Sequence, residues 1–150
     1  MKRKSDTDQE ARPFKSFDMN DTDVDVLVIG GGPAGLAAAT TLMRQLHTVI
    51  VFDSGTYRSD GQKHMHNMAT WDGRDPAEFR AAAKKDILTH YETARFENME
   101  IKKVKEVEGG FIAEDGNGKM WRGKKLILAT GVVDDFPEIK GFGKCWGKTM

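Results

Sequence analysis

Val24-Asp25-Val26-Leu27-Val28-Ile29 runs straight into Gly30-Gly31-Gly32-Pro33-Ala34-Gly35, and the joint between these stretches decides the fold. The first six residues are β-branched and mostly apolar, the texture of a strand buried on both faces. The run Pro33-Ala34-Gly35-Leu36-Ala37-Ala38-Ala39-Thr40-Thr41-Leu42-Met43 then predicts a helix. Pro33 suits its first turn, where no N–H is needed and φ is already near the helical value. A second apolar run, Thr48-Val49-Ile50-Val51-Phe52, ends at Asp53. Strand, glycine turn, helix and strand make a right-handed βαβ unit.

The glycines fall in the pattern G-x-G-x-x-G on Gly30, Gly32 and Gly35. In order, they serve the tight turn, the backbone approach to a pyrophosphate, and the close packing of helix on strand. The first turn of the helix, with Pro33 and Ala34, presents unpaired N–H groups and the positive end of the dipole to phosphate. Ala39 is small enough to continue the helix–sheet contact. Asp53, next to Ser54, closes the second strand, where a carboxylate accepts both ribose hydroxyls of an adenosine and repels a 2′-phosphate. That favours FAD or NAD over NADP. A glycine cluster alone marks ordinary turns. Here the strand, the helix and the distant acid accompany it, so the unit reads as a dinucleotide site.

Working outward, residues 1–22 hold five acidic and five basic side chains and little to bury, which predicts a disordered tail. Residues 54–73 are rich in turn formers and read as a loop, with the unusual stretch His64-Met65-His66-Asn67-Met68 inside it. Asp75-Pro76-Ala77-Glu78 is a helix start, with Asp75 as N-cap, and Phe79, Ala82, Ala83, Ile87 and Leu88 continue at helical spacing. From Arg95 the texture turns to strands. Met99, Ile101, Val104 and Val107 form one extended run before Gly109-Gly110, and Phe111-Ile112 open the next strand. Asp115-Gly116-Asn117-Gly118 supplies a hairpin turn, Met120-Trp121 returns, and Lys125-Leu126-Ile127-Leu128-Ala129-Thr130 is a last apolar strand stopping at Gly131. The expected order is βαβ, helix, a small antiparallel meander and then a core strand.

The totals set outer limits. The chain has 150 residues, 39% hydrophobic and 31% charged, with zero formal net charge. Charge balance argues against a nucleic-acid role, which usually needs a basic excess. No apolar run approaches the roughly 18 residues of a membrane helix. The basic start has no apolar segment behind it, and Asp6, Asp8 and Glu10 oppose a transit peptide, so the expected compartment is the cytosol. One cysteine, Cys145, excludes an internal disulfide and a cysteine-rich metal site. His64 and His66 lack a nearby ligand-rich cluster, so loop packing or contact with a cofactor is favoured over metal.

The meander followed by Ala129-Thr130-Gly131 resembles the flavoprotein pyridine-nucleotide-disulfide oxidoreductases, whose FAD domain carries an inserted meander and an "ATG" strand beside the flavin nucleotide. Asp135-Phe136-Pro137-Glu138-Ile139-Lys140-Gly141 is similar to that family's crossing toward its second domain. Within the family, thioredoxin-reductase-like proteins are the best likeness. The segments that carry it are 64–67, 71–80 and 143–148, and Asn67 falls where those reductases place an asparagine near the flavin. The resemblance covers about residues 23–150 and implies an α/β fold: a Rossmann-like FAD/NAD(P)-binding three-layer ββα domain with an inserted antiparallel β-meander, here incomplete.

It also implies FAD as the cofactor, an NADPH domain in the complete form, a homodimer, and a Cys-x-x-Cys pair beyond Met150. A lone Cys145 is then structural or incidental, and Trp121 and Trp146 read as packing residues. Only one glycine fingerprint is present, so residues 23–150 are expected to be the N-terminal part of the FAD-binding domain, with residues 148–150 reading as an interruption. The resemblance assigns no catalytic residue within the chain. Two other readings remain open: a non-catalytic or degenerate nucleotide-binding module, and an NAD-dependent dehydrogenase domain.

Overall fold

The apolar run at 24–29 lies at the centre of a six-stranded sheet. In the computed structural model, which describes residues 23–145, the strands are β1 (Asp23–Ile29), β2 (Val49–Phe52), β3 (Ala94–Glu97), β4 (Ile101–Val107), β5 (Gly110–Asp115) and β6 (Met120–Leu128). The helices are α1 (Pro33–Arg44), α2 (Pro76–His90) and the single turn α3 (Phe142–Cys145). The expected tail at 1–22, the packing role for Trp146 and the interruption at 148–150 lie outside the described residues. No described helix is long and apolar enough to cross a membrane.

The sheet order is β3-β2-β1-β6-β5-β4. β1 pairs in parallel with both β2 and β6, β2 pairs in parallel with β3, and the β4–β5–β6 meander is antiparallel. The βαβ unit, the capped second helix and the meander all form as the residues predict. Asp75 caps α2 by accepting the Ala77 N–H at 2.7 Å. The hairpin turn is held by Asp115 Oδ1, which accepts from Asn117 N at 2.8 Å and Lys119 N at 2.9 Å.

Three boundaries differ. Ala94–Glu97 is a separate parallel strand beside β2, not the beginning of the meander run. Its identity depends on a partner far away in sequence, and Ala94-Arg95-Phe96-Glu97, although apolar and charged by turns, is too short a run to announce a strand by itself. Second, the return at Met120-Trp121 and the core strand at 125–128 are one strand. β6 pairs with β5 through its first half and with β1 along nearly its whole length. Third, β6 ends at Leu128, so Ala129, Thr130 and Gly131 stand just past its end.

Two clusters fill the faces of the sheet. On one, Val26, Val28, Val49 and Val51 pack under Leu36, Ala39 and Met43 of α1 and Ile87 of α2. On the other, Leu27, Ile29, Ile50 and Phe52 meet Ala113 and Trp121, with the Phe52 and Trp121 rings edge to face at 5.0 Å. The meander therefore curls over the face that the helices leave open. Gly123 permits the curl, because a Cβ there would stand 2.6 Å from Leu27 Cγ.

At the N-terminal ends of the strands, Asp25 ties three of them together. Its carboxylate accepts from Lys124 Nζ at 2.7 Å and from Thr48 N and Oγ1 at 3.0 Å. Burial pushes the Asp25 carboxyl up, but these hydrogen bonds outweigh it and hold the pKa at about 2. The opposite ends of the strands are left open for the site.

Candidate functional site

Past the C-terminal ends of β1, β2 and β6 the chain opens a cleft of about 960 Å³, lined by residues 29–34, 52–54, 56–59, 62, 99–101 and 128–134. This is where an open parallel sheet holds its ligand, because strand ends and helix N-termini converge there.

Gly30 turns the chain at φ +118°, a backbone conformation that suits glycine, and its N–H donates to Phe52 O at 2.8 Å. A Cβ on Gly30 would overlap Ala129 O, and one on Gly35 would overlap Gly30 O. The first and third glycines are thus required by packing. Gly32 is different. It is the N-cap of α1, extended at φ −76° and ψ −177°, and nothing lies within 4 Å of where its Cβ would be. The middle glycine faces empty cradle. The first turn of α1 carries no acidic side chain to neutralise its N–H groups.

Gly31, a residue the sequence pattern leaves free, is fixed by Asp53: a Cβ there would stand 2.6 Å from Asp53 Cβ and overlap the carboxylate itself. Asp53 sits at the end of β2, its N–H bonded to Glu97 O at 2.9 Å. Its Oδ1 accepts from Gly55 N at 3.0 Å and its Oδ2 from the Tyr57 hydroxyl at 2.6 Å. Burial first, and then the hydrogen bond to Asp53, push the Tyr57 phenol up to about 12. At neutral pH it is a donor.

On the far side, Ala129 N donates to Ile29 O at 2.8 Å, which places residues 129–131 against the glycine turn. Arg58 and Asp134 join the loop after β2 to the segment after β6 through two hydrogen bonds of 2.9 Å. This bidentate pair lowers the Asp134 carboxyl and raises the Arg58 guanidinium, with Arg58 open to water and Asp134 partly covered.

Of the residues singled out by sequence, Gly30, Gly32, Pro33, Ala34, Asp53, Ser54, Ala129, Thr130 and Gly131 line the cleft together. Gly35 lies beneath it as the packing glycine. Asn67 stands apart, exposed in its loop at φ +63°, its N–H donating to Asp72 Oδ1 at 2.9 Å. The histidines are also loop residues: His64 Nδ1 lies 2.9 Å from Gly73 O, and His66 Nδ1 lies 3.5 Å from Asp72 Oδ1. Among the described residues no three His, Cys, Asp or Glu side chains gather as metal ligands. Cys145 is exposed at the end of α3. Sequence reasoning missed Gly31, Tyr57, Arg58 and Asp134. Tyr57 was within reach, since the turn that follows Asp53 is local, whereas Arg58 and Asp134 carry no local signal of their pairing.

The fold and cleft define a dinucleotide-binding α/β domain with an inserted meander. Residues 24–150 match the pyridine nucleotide-disulphide oxidoreductases, and the chain belongs to that family of flavoprotein oxidoreductases. It is similar to the thioredoxin reductase aclD of Aspergillus oryzae, 46% identical over 128 residues, which cover 84% of this chain and 40% of that one. It is 45% identical over 139 residues to a thioredoxin reductase of Gibberella zeae, covering 85% and 40%. Among solved structures, an oxidoreductase from Agrobacterium tumefaciens superposes with TM-score 0.79 at 36% identity, over 84% of this chain and 42% of that one. The thioredoxin reductase of T. acidophilum shares the fold at TM-score 0.67 and 23% identity, over 85% and 42%. The chain thus spans about 40% of the length of the curated relatives it matches.

Proposed function

We propose that this chain binds FAD and is the FAD-binding part of a thioredoxin-reductase-like, NAD(P)H-dependent flavin oxidoreductase. The observation that carries the reading is the empty space at Gly32, the N-cap of α1, in the cleft that Asp53 also lines. Nothing lies within 4 Å of where a Gly32 side chain would be, which leaves room for a pyrophosphate, and the unpaired N–H groups of a helix's first turn favour an anion there. Asp53 keeps one lone pair on each oxygen after its two internal hydrogen bonds, enough for the two hydroxyls of an adenosine ribose. Its negative charge disfavours a 2′-phosphate. Residues 129–131 wall the opposite side, and the cleft volume suits a large cofactor.

When bound, FAD supplies the ring that takes up and passes on electrons. The residues of the cleft bind and orient the nucleotide half. Electron delivery from NAD(P)H to a disulfide or another acceptor is proposed for the longer protein, by way of the family.

The test is direct. Purified chain is assayed for bound flavin by its absorbance, and then titrated with FAD and with ADP. Saturable binding of both is expected. Binding of NADH with no response to either FAD or ADP would overturn the reading.

A further inference from the structure

The turn after β2 is built around one side chain. Tyr57 N–H donates to Asp60 Oδ2 at 2.9 Å, and its hydroxyl reaches back to Asp53 Oδ2 at 2.6 Å. Arg80, from the first half of α2, lays its guanidinium carbon 3.6 Å from the centre of the Tyr57 ring. The same guanidinium donates to Ser59 Oγ at 3.3 Å and lies 3.8 Å from Asp60 Oδ1. The phenol is therefore clamped by a helix on one side and aimed at the cleft's carboxylate on the other. Both Tyr57 and Asp53 line that cleft.

We propose that Tyr57 is a positioning residue that sets the Asp53 carboxylate for a vicinal ribose diol, with Arg80 holding the phenol in place. The inference rests on the flavin-nucleotide reading of the cleft. An ionised carboxylate has about four acceptor directions. Gly55 N–H takes one on Oδ1 and the Tyr57 hydroxyl takes one on Oδ2. Each oxygen is left with one further lone pair, and the group cannot rotate about its last bond without breaking both hydrogen bonds. Two adjacent hydroxyls then meet two acceptors fixed in one plane. The high pKa of the phenol, about 12, keeps its proton on the donor side at neutral pH. Tyr57 contributes through Asp53, so its effect must vanish for a ligand that lacks the diol.

That condition is the experiment. The 150-residue chain, unaltered and as Tyr57→Phe, is titrated calorimetrically with ADP and with 2′,3′-dideoxy-ADP. The expected result is ADP binding weakened by about five- to tenfold in Tyr57→Phe, with dideoxy-ADP changed by less than about twofold. Arg80→Met, which keeps the phenol but removes its clamp, should show the same pattern at smaller amplitude. Equal losses for both nucleotides overturn the proposal, because Tyr57 would then only support the loop. Unchanged or tighter ADP binding in Tyr57→Phe overturns it as well. If the unaltered chain binds no ADP at all, the flavin-nucleotide reading fails and this one with it.

Discussion

The backbone of Gly31 lies flat against the side chain of Asp53, so close that a Cβ on the glycine would sit 2.6 Å from the aspartate Cβ and overlap its Cγ. The second residue of the glycine turn is thus fixed by the acid at the end of the next strand. Gly31→Ala should force the glycine turn and the end of β2 apart, displacing Asp53, and weaken ADP binding by about 1.5–3 kcal/mol, the range for a hydrogen bond to a charged group. Asp53→Ala should cost a similar amount. Because both act on one contact, the double variant should lose little more than either alone, and a calorimetric cycle of the four proteins measures this.

The middle and last glycines should separate binding from folding. Gly32→Val adds a side chain where nothing lies within 4 Å, at an extended φ and ψ that valine accepts. The fold should survive with its thermal midpoint little changed, while ADP and FAD affinity fall by more than about tenfold, or 1.4 kcal/mol. Gly35→Ala forces a methyl onto Gly30 O. It should cost more than about 3 kcal/mol and leave little folded protein, as read by circular dichroism on the soluble fraction.

Acid should act first at the other end of the sheet. The Asp25 carboxyl has its pKa lowered from 3.8 to about 2 in the folded chain. A depressed carboxyl stabilises the fold above its unfolded pKa, and that stability is lost as pH falls through the folded value. Discounted for solvent access, the contribution is about 1 kcal/mol. Urea unfolding should therefore show stability declining between about pH 4 and pH 2, with a shallower decline in Asp25→Ala. An identical pH profile in the two proteins would contradict the assignment.

Trp121 tests the second core. It is 1% exposed and meets Phe52 edge to face, while Nε1 has no hydrogen-bond partner among the described residues. Trp121→Ala should cost about 3–5 kcal/mol, whereas Trp121→Phe should cost less, because it removes an unpaired donor along with volume. Equilibrium unfolding of the three proteins gives the comparison.

What the residues announced on their own was whatever local chemistry specifies. The β1–α1–β2 unit, the Asp75 cap and the turn at 115–118 each carry their signal within a few neighbours. β3 did not, because Ala94–Glu97 becomes a strand only by pairing with Val49–Phe52. Arg122-Gly123-Lys124 separates the return at Met120-Trp121 from the apolar run that begins at Lys125, yet pairing with β1 on one side keeps β6 continuous, and Gly123 is needed to clear Leu27. The glycine cradle and Asp53 were legible as a spacing. The ring of Tyr57 behind Asp53 and the Arg58–Asp134 bridge were not, since tertiary packing alone creates them. Asn67, placed by resemblance, lies outside the cleft wall.

Ala129 belongs to the cradle as much as Gly30 does, because the two backbones touch and Ala129 N bonds to Ile29 O. Their separation along the chain has a consequence for assembly. Contacts between distant residues form slowly, because a long loop must close before they are made. The glycine turn can be synthesised, and its helix can dock, long before the strand that completes it leaves the ribosome. Until β6 slots in beside β1, the cleft at the glycine turn lacks the wall that residues 129–131 supply. A nascent chain that ends short of residue 129 thus carries the whole glycine fingerprint and still lacks one wall of the cleft.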